Sequence, residues 1–122
     1  MSQTLRETKE FASFEAGQTA CLIRFIYKYD GQTKVAPGAV PQITIVDSAG
    51  TTQVTDSDST QNGSETGEYY YEYAIPAAGP EGVWTTKWAY TATKAAASKD
   101  FIEYGYIFIH TPEVYDASGT LI

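Results

Sequence analysis

Apolar and polar residues alternate with a period of two along most of this chain. The clearest case is the stretch from Gly67 to Ala92, GEYYYEYAIPAAGPEGVWTTKWAYTA. Side chains in a strand point to opposite faces in turn. Tyr69, Tyr71, Tyr73 and Ile75 therefore share one face, and Glu68, Tyr70, Glu72 and Ala74 the other. After a corner of Pro76, Gly79, Pro80 and Gly82, the set Trp84, Trp88 and Tyr90 lies opposite Thr85, Lys87 and Thr91. Both Trp residues of the chain fall here, and large aromatic rings dominate core energetics, so this pair of strands is expected to nucleate the core.

The same period predicts the other elements. A first strand covers Glu10 to Phe14 and ends at the turn Glu15-Ala16-Gly17. In TACLIRFIYKY, Cys21, Ile23, Phe25, Tyr27 and Tyr29 form one face. The other face carries Arg24 and Lys28, so the odd set is expected inside. QITIVDSAGTTQVT reads as a hairpin turning at Asp47-Ser48-Ala49-Gly50, with Ile43 and Ile45 on its apolar face. DSDSTQNGSETG is almost without apolar residues and is expected to be a solvated loop. TKAAAS is too short to stand as a helix between strand patterns and is read as a turn.

The last strand, DFIEYGYIFIH, is apolar on both faces, with Ile107 and Ile109 on one and Tyr104, Tyr106 and Phe108 on the other. Either Gly105 marks a bulge that exchanges the faces, or the second face packs against the tail or another protein. Pro112, near the start of the tail, favours an extended path.

Seven short strands with turn residues between them and no long helix predict one all-β domain, a two-sheet sandwich of the immunoglobulin-like kind. It spans residues 9–110, between a flexible N-terminal arm (1–8) and a C-terminal tail (111–122). A chain of 122 residues is long enough to bury a core without disulfides or metals. The single Cys21 is expected to be a buried, inert thiol.

Charge narrows the partners. A net charge of −7 with eight scattered basic residues argues against nucleic-acid backbone binding. No apolar run approaches the length of a membrane span. The start, MSQTLRETKEF, has charges of both signs and no apolar core, so no secretory signal is expected.

The succession FEAGQTACLIRFIYKYDG, a hairpin carrying IVDSAG, GEYYYEYAIP, PEGVWTTKW and a closing apolar strand resembles the immunoglobulin-like or macroglobulin-like β-sandwich domains of phage virion proteins and bacterial surface proteins. The resemblance covers roughly residues 9–110. A small, acidic, single sandwich is most similar to virion parts: head decoration, head-tail completion or tail proteins. The resemblance implies no catalytic residues.

Catalytic and metal chemistry find little support. His110 is the only histidine and has no nucleophile or carboxylate at a suggestive spacing. Cys and His together cannot supply a zinc site. The acidic loop 55–66 suggests calcium, but counting from Asp56 places Gln61 where an EF-hand loop needs Gly, and Gly67 where it needs Glu. Glu68 and Glu72 share one strand face and read as exposed sheet surface, whereas glycosidase carboxylates face each other across a cleft.

These readings converge on a non-enzymatic structural protein of a phage particle without cofactors, located in the virion, whose partners are other virion proteins and copies of itself. The candidate assembly residues are Leu5, Phe11, Tyr104, Tyr106, Phe108, Val114, Tyr115, Leu121 and Ile122. The alternative is a carbohydrate- or protein-binding module of a cell surface, with weak glycan binding on a platform of Tyr70, Trp84 and Trp88.

Overall fold

The computed structural model describes residues 3–5, 12–112, 114 and 116–121. Within them lie eight strands: β1 (Ala12–Glu15), β2 (Thr19–Phe25), β3 (Gln42–Val46), β4 (Thr52–Asp58), β5 (Thr60–Gln61), β6 (Glu68–Ala74), β7 (Gly82–Thr93) and β8 (Ser98–His110). No helix occurs among the described residues. The strands form a five-stranded sheet, ordered β1-β8-β7-β3-β4, and a three-stranded sheet, ordered β2-β6-β5.

The strand beyond the expected seven is β5, in the stretch read from sequence as a solvated loop. Ser59 turns the chain from one sheet to the other: its amide and its hydroxyl both donate to the Pro41 carbonyl, at 3.0 and 2.6 Å. Thr60 and Gln61 then pair with Tyr70 and Tyr69 of β6. Composition hid this segment because Ser59 and Asn62 are polar yet buried, and hydrogen bonds rather than apolar contacts hold them there.

The main core gathers Leu22, Ile43, Ile45, Trp84, Trp88, Ile107 and Ile109 between the sheets. A smaller cluster of Ile26, Tyr69, Tyr90 and Ala92 fills one end, with Phe101 stacked on Tyr90 at 5.5 Å. The face assignments of β3, β6 and β7 match the expectation. At the corner, the Trp84 indole N–H donates to the Pro80 carbonyl at 2.8 Å, and Gly79 N–H closes a turn onto Pro76 at 3.0 Å.

Strand β2 is turned over relative to the expectation. Ala20, Leu22 and Ile26 are buried, while Cys21 is exposed and Ile23 and Phe25 are half-buried on the outside. Arg24 points inward because its stem packs between the sheets and its guanidinium lies 6.0 Å from the Trp88 ring. Outside, the Lys34 ammonium covers the Phe25 ring at 4.6 Å. Lys28, the second charge of that face, lies beyond the strand in a turn, its carbonyl accepting from Gly31 N–H.

The register of β7 against β8 runs without a shift from Gly82↔Ile109 to Thr93↔Ser98. Gly105 is therefore no bulge, and the two apolar faces of β8 are two real faces. The connection at 94–97 is a turn, as its length predicts.

Candidate assembly surface

Regular pairing of β8 with β7 fixes which side chains share the outer surface of the five-stranded sheet. Ile107 and Ile109 point inward, so Ile102, Tyr104, Tyr106 and Phe108 stand in a row outside. Tyr104 is 62% exposed and Phe108 43% exposed. Across the pair, Ile102 meets Ala89, Tyr104 meets Lys87, Tyr106 meets Thr85, and Phe108 meets exposed Val83. At the end of the row the His110 ring stacks on Phe108 with centroids 6.4 Å apart. Ile102 also borders a shallow, open cleft of about 780 Å³, lined on its other sides by Val40, Gln42, Asp58 and Thr91. Apolar side chains that stand contiguously on a surface mark places where another molecule docks.

Sequence reasoning found Tyr104, Tyr106 and Phe108 here and missed Val83 and Ile102. Alternation alone would have supplied both: Val83 lies opposite in phase to Trp84, and Ile102 shares the phase of Tyr104.

The remaining candidates lie elsewhere. Leu5 is half-buried beside a recess of about 390 Å³ lined by Phe25, Lys34, Glu65 and Glu68, at the three-stranded sheet. The adjoining Gln3 is tied to the sandwich: its amide donates to Asn62 Oδ1 at 2.9 Å, and Asn62 Nδ2 donates to its carbonyl at 2.5 Å. Residues 3–5, within the stretch read from sequence as a flexible N-terminal arm, are thus hydrogen-bonded to the sandwich through Asn62. Val114 and Leu121 are exposed beyond β8. Phe11, Tyr115 and Ile122 lie outside the described residues.

The three rings of the alternative platform do not share a surface. Trp84 and Trp88 are 0% and 2% exposed in the core, so neither can stack on a sugar. Tyr70 sits half-buried on the outer face of the other sheet, opposite Ile23.

Glu68 is buried, contrary to the expected exposed carboxylate. Its carboxylate accepts from Lys34 Nζ at 2.5 Å and from Asn62 Nδ2 at 3.1 Å. The Lys34 hydrogen bond holds the Glu68 carboxyl below its usual range, and the same bond raises the Lys34 ammonium. The Cys21 thiol, exposed where burial was expected, is pushed up by partial desolvation and by the Glu72 carboxylate facing it across the strand pair. In the acidic stretch, Asp56 and Asp58 pair with Thr44 and Gln42. No group of three or more His, Cys, Asp or Glu is placed to hold a metal ion among the described residues.

Comparison with known proteins found no matching family model, no matching curated protein and no matching solved structure.

Proposed function

We propose that this chain is a non-enzymatic structural protein of a phage particle, an immunoglobulin-like sandwich that works by assembling with other virion proteins and with copies of itself. The observation that carries the reading is the exposed row Ile102, Tyr104, Tyr106 and Phe108, joined by Val83, on a regularly paired sheet. Such a row on an isolated protein is a liability; between subunits it is the core of an interface. The strand order supports the immunoglobulin-like part. The sheet β2-β6-β5 and the run β8-β7-β3-β4 follow the B-E-D and G-F-C-C′ order of variable-type domains. The phage context rests on the sequence resemblance. A surface binding module is less well supported, since two of its three candidate rings are core residues.

The reading is tested on purified particles. The wild-type chain is expected to sediment with them in a density gradient, and the Tyr104→Ser/Phe108→Ser double variant, folded and equally expressed, to remain in the soluble fraction. Absence of the wild-type chain from the particles, or equal incorporation of the double variant, overturns the proposal.

A further inference from the structure

Ile102, Ala89, Gln42 and Asp58 stand side by side across four strands. The registers align them: Ile102 lies opposite Ala89, Ala89 opposite Gln42, and Gln42 opposite Asp58. All four border the open cleft of about 780 Å³ on the outer face of the five-stranded sheet. A further wall is the 38–40 loop, which is held at both ends. The Gly38 amide donates to the Thr91 carbonyl at 2.7 Å, and the Pro41 carbonyl accepts from Ser59. Hydrogen-bonded backbone thus shapes the cleft before anything enters it.

The lining has two chemistries. Val40 and Ile102, 41% and 58% exposed, make an apolar middle with Ala89. Asp58 and Asp100 border it from different strands, β4 and β8. Each carboxylate accepts from a neutral group, Asp58 from the Gln42 side-chain amide at 3.1 Å and Asp100 from the Thr91 hydroxyl at 2.6 Å. No ion pair reaches either of them among the described residues. Lys87 stands on the same outer face, but two residues along β7 from Ala89 and beside Tyr104. Lys99 has the opposite phase to Asp100. An apolar surface between two such carboxylates fits a guest with an apolar centre and a positive charge on each side of it.

Spacing narrows the guest. Three strand separations, with the two-residue offset from Ile102 to Asp100, put Asp58 and Asp100 about 16 Å apart along the backbone plane. On an extended chain, residues i and i+4 lie about 13 Å apart and share a face with i+2. The long stems of Lys or Arg cover the difference. A second copy does not supply this pattern. The only basic residues four apart in the chain are Arg24 and Lys28, and Ile26 between them is fully buried.

We infer that the cleft docks an extended segment of a different protein, one in which an apolar residue has Lys or Arg two positions before it and two positions after it. The inference does not rest on the assembly reading.

The probe is the end-blocked peptide KTVTK, titrated into the full chain and followed by amide chemical shifts. It is expected to shift Val40, Ala89 and residues 100–102. The Asp58→Asn/Asp100→Asn variant, which keeps acceptors for Gln42 and Thr91, should bind it roughly tenfold or more weakly. Ile102→Ser should also weaken binding, and Tyr104→Ser/Phe108→Ser, altered only on the neighbouring row, should bind as the wild type does. Equal binding of the peptide ETVTE, undiminished binding by the Asp double variant, loss of binding by the Tyr104→Ser/Phe108→Ser variant, or no shift at the cleft with millimolar KTVTK each overturns the inference. None of these results decides the assembly reading, which the particle experiment tests.

Discussion

Asn62 grips Gln3 by both halves of its main chain, its Oδ1 accepting from the Gln3 amide and its Nδ2 donating to the Gln3 carbonyl. The side-chain amide thereby acts as one more residue of a neighbouring strand, and it reads backbone rather than sequence. Its Nδ2 also reaches Glu68. Asn62→Ala is expected to cost about 1–3 kcal/mol, because Glu68 loses a buried donor, and to release residues 3–5. Urea midpoints and amide exchange at Gln3 to Leu5 check this; unchanged exchange there would show that something else holds the segment.

The Lys34–Glu68 pair sets a pH window. The folded Glu68 carboxyl lies below its ordinary value of 4.5, so its contribution is present above that value and is lost as pH falls through the lower folded one. The folded Lys34 ammonium lies above its ordinary 10.5. Its contribution is therefore present below that value and is lost as pH rises through the higher folded one. Asp30, held at about 2 by the Thr33 hydroxyl and the Thr33 and Gln32 amides, adds to the acid limb in the same sense. Thermal melts against pH should be broad-topped for the wild type, and Glu68→Gln should flatten the acid limb. A variant with an identical acid limb would contradict the assignment.

Aromatic residues divide sharply by side. Trp84→Ala is expected to cost about 3–5 kcal/mol as a core truncation, and Tyr104→Ser under about 1 kcal/mol as a surface change. Denaturant titration of the two variants decides it. Comparable losses would mean that the Tyr104 face is not open in solution.

Gly105 faces inward, where a Cβ would sit 2.9 Å from Thr86 Oγ1, with an Arg24 guanidinium nitrogen 3.7 Å away. Gly105→Ala should destabilise by roughly 1–3 kcal/mol, and Thr86→Ala in the same chain should recover part of that loss. A double-mutant cycle without coupling would mean that the clash is relieved elsewhere.

Cys21 should react with iodoacetamide in the folded protein, without denaturant, because its thiol is exposed. The raised pKa keeps the rate slow near neutrality, and Glu72→Gln should speed it by removing the facing carboxylate. Protection equal to that of a core thiol would contradict the orientation of β2.

That orientation marks where the sequence was legible and where it was not. In β3, β6 and β7 one face is apolar and the other polar, so phase alone placed Ile43, Tyr73 and Trp88 inside. In β2 both faces are apolar enough to be buried. The charge on Arg24 pointed outward, but a long stem and an indole partner let the guanidinium turn in. Ser59 and Asn62 were hidden for the converse reason: hydrogen-bond partners distant in sequence, Pro41 and Gln3, bury them, and composition cannot register such partners. The outer row of β8 was visible from its two apolar phases.

The parallel pairing of β1 with β8 also bears on how the molecule forms. Ala12 meets Ile107, so β1 has no place to settle until β8 has been made. Contacts between such distant positions slow folding. Until β8 arrives, β7 presents one bare edge and Trp84 and Trp88 lack their final cover. A chain that still lacks β8 is therefore open to wrong association along β7, and the strand that ends that exposure keeps its own outer row of Tyr104, Tyr106 and Phe108 exposed in the folded molecule.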